Sequence, residues 1–151
     1  VSATHWFAYE ASYRDDLAYI PMLLRYKLDL TGRSISLDGW QALAPDARRE
    51  LVDAPFERDA DCAAFAERFD ALAGDHAPAS SIVPVDLAVW DGGAIPERLA
   101  ARATECGVPL DLEHWQALAP FDRYALAKLG SGEKPSRNLA AVLEEIVKRE
   151  R

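Results

Sequence analysis

Trp40-Gln41-Ala42-Leu43-Ala44-Pro45 recurs as Trp115-Gln116-Ala117-Leu118-Ala119-Pro120, a shift of 75 residues. Six consecutive identities that include Trp and Pro are hard to obtain by chance, and self-similarity of this kind signals duplicated supersecondary structure. The match extends outward without a gap, from Ile20–Leu51 over Ile95–Leu126. It takes in Pro21/Pro96, Leu24/Leu99, Gly32/Gly107, Leu37/Leu112, Arg48/Arg123 and Leu51/Leu126.

Each copy reads as a chain of helices. Pro21 and Pro96 suit a helix start, where the missing N–H would be orphaned anyway. Gly32 and Gly107 stand where a left-handed C-terminal cap is wanted. Ser36 and Asp111 can cap a short second helix. Pro45 and Pro120 restart the chain as a third, running to about Val52 and Lys128. A fourth follows: Asp59–Ala73 carries apolar residues at helical spacing (Cys62, Phe65, Ala66, Phe69), and Arg137–Lys148 repeats the pattern with Leu139, Val142, Leu143 and Ile146. The expected fold is therefore all-α. Two tandem copies of a four-helix unit, about 12–74 and 92–150, pack as one domain over 1–151. Residues 75–94 hold Pro78, Pro84 and Gly92-Gly93 among many apolar residues and read as an extended linking strap.

Composition narrows the function classes. The chain has 151 residues, half of them hydrophobic, with a formal net charge of −8. An acidic chain needs a local basic patch to bind nucleic acid. The one dense basic run, Lys148-Arg149-Glu150-Arg151, suits the negative end of a helix dipole instead. A helix-turn-helix DNA reader is thus disfavoured. No apolar run reaches the ~20 residues of a membrane span, and Val1–Trp6 does not read as a secretory leader. Cys62 and Cys106 stand far apart and read as small buried helix residues, with a reducing cytoplasm as the expected setting.

Standard catalytic patterns do not appear. His5, His76 and His114 form neither HxxxH nor HExxH, and the nearest acid in sequence to His114 is Glu113. Asp59-Ala-Asp61 fails as a calcium loop, because the places for the turn Gly and the bidentate Glu hold Ala64 and Asp70. No phosphate-cradling Gly-rich loop occurs. Neither a metal nor a cofactor is expected.

The repeat also acts as a filter: shared positions read as scaffold, and unshared ones as free to diverge towards a task. Trp40/Trp115 and Arg48/Arg123 are shared. On a helical wheel of residues 17–31, Met22, Arg25, Tyr26 and Asp29 lie opposite Leu17, Ile20, Leu24 and Leu28. The second copy places Glu97, Ala100, Ala101 and Thr104 there. Met, Tyr and Arg are enriched in protein interfaces, so this face is the candidate partner surface. The competing reading packs it under the N-terminal segment Trp6-Phe7-Ala8-Tyr9.

Phe7-Ala-Tyr-Glu10, Tyr19-Ile-Pro-Met22 and Arg25-Tyr-Lys-Leu-Asp29 together resemble the signature of the nitrate reductase-associated protein family, roughly FxFE, CIPM and RFKLD. The likeness continues through Leu37-Asp-Gly-Trp40, Arg48-Arg-Glu-Leu51, Arg123–Leu129 and Asn138-Leu139. Two departures stand out. Tyr19 replaces the family's Cys, and Ser131–Arg137 lacks the His often found in that loop. The family's genes tend to lie beside those for assimilatory nitrate reductase and molybdopterin cofactor synthesis. The resemblance implies a non-catalytic accessory protein whose partner is nitrate reductase or its molybdopterin cofactor machinery. It acts in maturation or cofactor loading through protein–protein interaction, with no nucleic acid or membrane partner and with homodimerisation open. Met22, Arg25, Tyr26, Lys27 and Asp29 are its partner-binding candidates. The alternative is a small-anion or cofactor-binding protein with cryptic enzymatic activity. There Arg48, Arg123 and Lys128 are secondary anion-binding candidates beside Arg25 and Lys27.

Overall fold

The computed structural model describes residues 3–77 and 92–149. Every regular element among them is helical: eight α-helices and two 3-10 turns. The helices are α1 (Met22–Leu30), α2 (Leu37–Ala42), α3 (Pro45–Asp53), α4 (Asp59–Ala73), α5 (Glu97–Glu105), α6 (Leu112–Ala117), α7 (Pro120–Gly130) and α8 (Leu139–Arg149). The 3-10 turns are Ala8–Tyr13 and Gly74–His76. No helix among the described residues is long and apolar enough to cross a membrane. The predicted strap lies mostly outside the described residues. Its first two residues, Asp75 and His76, belong to a 3-10 turn rather than to extended chain.

Helix starts recur 75 residues apart at Met22/Glu97, Leu37/Leu112 and Pro45/Pro120. The caps recur with them. Pro21 and Pro96 stand immediately before α1 and α5. Gly32 and Gly107 take φ of 69° and 79°. Behind them Arg33 N–H donates to the Leu28 carbonyl at 2.8 Å and Val108 N–H to that of Ala103 at 3.0 Å. Both ends are Schellman caps, which need a left-handed residue that glycine supplies without strain. Ser36 Oγ accepts from Gly39 N–H at 3.0 Å, and Asp111 Oδ1 accepts from His114 N–H at 2.7 Å.

The described residues form two compact units. Unit 1 comprises 3–6 and 10–77, and α1 packs there on α3 and α4. Its core includes Leu24, Trp40, Leu51, Phe56, Phe65 and Phe69. The Phe56 ring meets Tyr26 and Phe65 edge-on, at 6.0 and 5.6 Å between centroids. Unit 2 comprises 7–9 and 92–149, with α5, α7 and α8 in mutual contact. Helix α7 is buried on nearly every side, and only Lys128 is exposed between Phe121 and Gly130. Phe7 stacks on Phe121 at 5.7 Å.

The repeated Trp-Gln segment holds the chain that leads into each first helix, through both residues in unit 1 and through the glutamine in unit 2. Trp40 Nε1 donates to the Leu17 carbonyl at 2.8 Å, and Gln41 Nε2 to that of Ala18 at 2.9 Å. In unit 2 Gln116 Nε2 donates to the Gly92 carbonyl at 3.1 Å. Leu17 and Gly92, 75 residues apart, both take positive φ, 55° and 103°. A positive φ is thus built into the lead-in of both first helices, although only one of them uses glycine.

In unit 1 the turn Gly74–His76 closes over α2. A Cβ added at Gly39 would lie 2.3 Å from the His76 carbonyl oxygen, so that residue must be glycine for the turn to seat. Gly39→Ala is expected to cost about 1–3 kcal/mol, the range for overpacking. Amide exchange at Gly74–Ala77 should rise sharply in that variant, and unchanged protection there would show that the contact is dispensable.

Candidate functional site

The residues flagged on α1 separate once the helix is packed. Arg25 is exposed and Asp29 half-buried. Met22 and Tyr26 are core residues, 5% and 2% exposed, which corrects the expected four-residue surface. The cause is the number of neighbours: α3 and α4 bury more of α1 than one amphipathic stripe predicts. The N-terminal segment reaches this helix through Glu10. Its buried carboxylate accepts from Met22 N–H at 2.8 Å and from the Tyr13 hydroxyl at 3.2 Å. That carboxylate serves as the cap that Pro21 has no side chain to supply.

Lys27 is 1% exposed. Its Nζ donates to the carbonyls of Leu51, Val52 and Ala54 at 3.2, 2.8 and 2.7 Å, which are the orphaned acceptors at the C-terminal end of α3. The Phe65 ring lies 5.7 Å away. Burial pushes the ammonium down to about 8 from its ordinary 10.5, with Asp53 acting in the other direction. Arg102, 75 residues on, does the same work in unit 2. It donates to the carbonyls of Gly130, Gly132 and Glu133 at 2.8, 2.6 and 2.9 Å, at the end of α7. A cation capping the third helix is therefore shared by both units, and Lys27 is scaffold by the same logic as the tryptophans. The sequence carried this signal as Lys27/Arg102, two different residue types that identity matching passes over.

The secondary anion candidates have comparable employment. Arg48 Nη1 donates to the Leu17 carbonyl at 3.1 Å. Arg123, 5% exposed, gives Nη1 to the carbonyls of Trp115, Gln116 and Leu118 at 3.3, 3.2 and 2.6 Å. Lys128 is exposed, with its Nζ 5.9 Å from the Tyr124 ring centroid. Arg25 and Lys128 are thus the exposed cations of the set, while Lys27 and Arg123 are buried. Cys62 is half-buried, and Cys106 is exposed at the end of α5, a correction to its expected burial. Among the described residues no group of three or more His, Cys, Asp or Glu is placed to hold a metal ion.

A ligand-sized concavity lies elsewhere, in unit 2. A groove of about 580 Å³ runs between α8 and the loop from α5 into α6. Its apolar walls include Val108, Leu110, Leu118, Leu143, Ile146 and Val147. His114, Glu144 and Lys148 supply its polar edge. This volume falls in the range of ligand pockets, roughly 300–1,000 Å³. His114 Nδ1 sits 2.7 Å from Asp111 Oδ2, so the ring is held although two-thirds of the side chain is exposed, at 66%. Asp111 is held below the usual carboxylate range, first by the His114 backbone N–H and then by the imidazole. Its place three residues before His114 puts both on one helical face, a relation that inspection of sequence neighbours alone passed over.

The arrangement can bind apolar surface. Among the described residues that line it there is no nucleophile paired with a base and no convergent set of anion donors. Neither the curated proteins nor the solved structures contain a match to this chain. The family model described as conserved nitrate reductase-associated protein matches residues 6–146, nearly the whole length, and the chain therefore belongs to that family.

Proposed function

We propose that this chain is a non-catalytic accessory protein of assimilatory nitrate reductase, acting in maturation or cofactor loading by protein–protein interaction. The family supports the association with the reductase. The observation that carries the mode of action is the open, apolar-walled groove of unit 2, whose lining suits a protein surface better than a small hydrophilic anion. We read the architecture behind it as a duplicated four-helix unit joined by a strap, the matching helix starts and caps being its support. The anion-binding alternative keeps Arg25 and Lys128 as its exposed cations.

The test is a nitrate-grown host lacking this chain. Reductase purified from it should have lower specific activity and a lower molybdopterin content than reductase from the complemented strain. Equal activity and equal cofactor content would sink the accessory reading. Calorimetric titration of the purified chain with nitrate and molybdate is expected to give no heat of binding. Saturable binding that Arg25→Ala abolishes would favour the alternative.

A further inference from the structure

The groove of unit 2 has a counterpart in unit 1, and that counterpart is occupied. Helix α7 has 11 residues and α3 has 9, so beyond them the correspondence runs at 77 rather than 75. At that spacing Phe65, Ala66 and Phe69 fall on Val142, Leu143 and Ile146, all of them buried. Before the third helix, at 75, Arg33 corresponds to Val108 and Gly39 to His114; after it, at 77, Asp70 corresponds to Val147 and Ala71 to Lys148. In unit 1 the Arg33 guanidinium spans to Asp70 with two bonds of 3.2 and 2.8 Å, and the turn Gly74–His76 packs on Gly39. In unit 2 the ion pair is replaced by two half-buried valines that line the groove. The glycine that admits the turn is replaced by a largely exposed histidine. Lys148 is added at the rim, with no ion-pair partner among the described residues.

The bridge across the groove is removed, its walls become apolar, and its edge gains the cation Lys148 on a chain whose net charge is −8. We propose that this groove is a docking site for a short segment of a partner protein, apolar at its centre and carrying an acidic side chain. The segment lies along Val108 and Val147, where unit 1 is bridged by Arg33 and Asp70, rather than where Gly74–His76 seats, because His114 stands in place of Gly39 there. The valines take up the apolar residues, and Lys148 meets the carboxylate. The proposal rests on the accessory-protein reading for the identity of its partner, and on the comparison of the two units for the chemistry of the segment.

Two variants test it. Val108→Arg with Val147→Asp imports the ion pair that unit 1 already tolerates, and closes the groove. Lys148→Glu reverses the rim charge at an exposed position and keeps the question open to measurement if the double variant does not fold. Circular dichroism and thermal melts establish folding for both. Binding of purified nitrate reductase to the immobilised full chain should weaken at least about tenfold in the double variant and about threefold or more in Lys148→Glu. Binding that is equal across folded variants would overturn the groove while leaving the accessory reading intact. If the reductase does not bind the unaltered chain, the accessory reading fails, and a displayed library of cyclic nine-residue peptides decides the groove. Enrichment of apolar, acid-bearing peptides that lose binding to both variants would support it. No enrichment, or peptides indifferent to both variants, would overturn it.

Discussion

Lys27→Ala lowers the unfolding free energy by about 2–4 kcal/mol at pH 7, read from denaturant melts of the variant beside the parent chain. Three carbonyls at the end of α3 lose their donor together, and the alanine leaves a void beside Phe65 where the lysine stem was packed. Against a typical total of roughly 5–15 kcal/mol this is a large fraction. The pH dependence has a definite sign. Below pH 8 both folded and unfolded chains hold the Lys27 proton, so this group contributes no slope. Between about 8 and 10.5 the folded chain sheds it while the unfolded chain keeps it, so the parent gains stability as pH rises. The gap corresponds to roughly 3 kcal/mol as an upper bound. The variant has no such group, and the difference between the two proteins should widen across that window; a difference that narrows there would contradict the assigned shift. Arg102→Ala should cost less, about 1–2 kcal/mol, because two of its three acceptors, Gly132 and Glu133, are exposed residues.

Trp40→Ala and Trp115→Ala should each cost about 3–5 kcal/mol, since both side chains are fully buried. Their phenylalanine variants separate them. Trp40→Phe gives up the 2.8 Å bond to the Leu17 carbonyl. Trp115 Nε1 has no acceptor among the described residues, so Trp115→Phe gives up none there. The expected excess cost at position 40 is about 0.5–1.5 kcal/mol, measurable in matched melts. Equal costs would mean that the clamp on the chain leading into α1 adds nothing beyond packing.

Local signals made the helices readable before the structure. Proline and capping serine or aspartate act within one turn of chain, and they placed the starts of α2, α3, α6 and α7 where the structure has them, while apolar residues at helical spacing placed α4. The all-helical class followed from them. The α1 surface was less legible. A helical wheel shows which side chains share a face, but not how many neighbours that helix has, and Tyr26 is buried because Phe56 comes to meet it. The Lys27/Arg102 device joins residues more than twenty positions apart. The groove was still harder to foresee, because α8 forms one of its walls and the simple alignment fails there, α7 being two residues longer than α3.

The burial of Lys27 has a practical consequence. The chain contains four lysines: Lys27, Lys128, Lys134 and Lys148. Only Lys27 lies in unit 1. An amine-acylating reagent reaches it only when α1 and α3 separate, whereas exposed Lys128 and Lys148 react at once. Pulsed acylation followed by peptide mass mapping therefore reads opening of the first unit from one residue. The native protein carries its own unfolding clock there, with no engineered label.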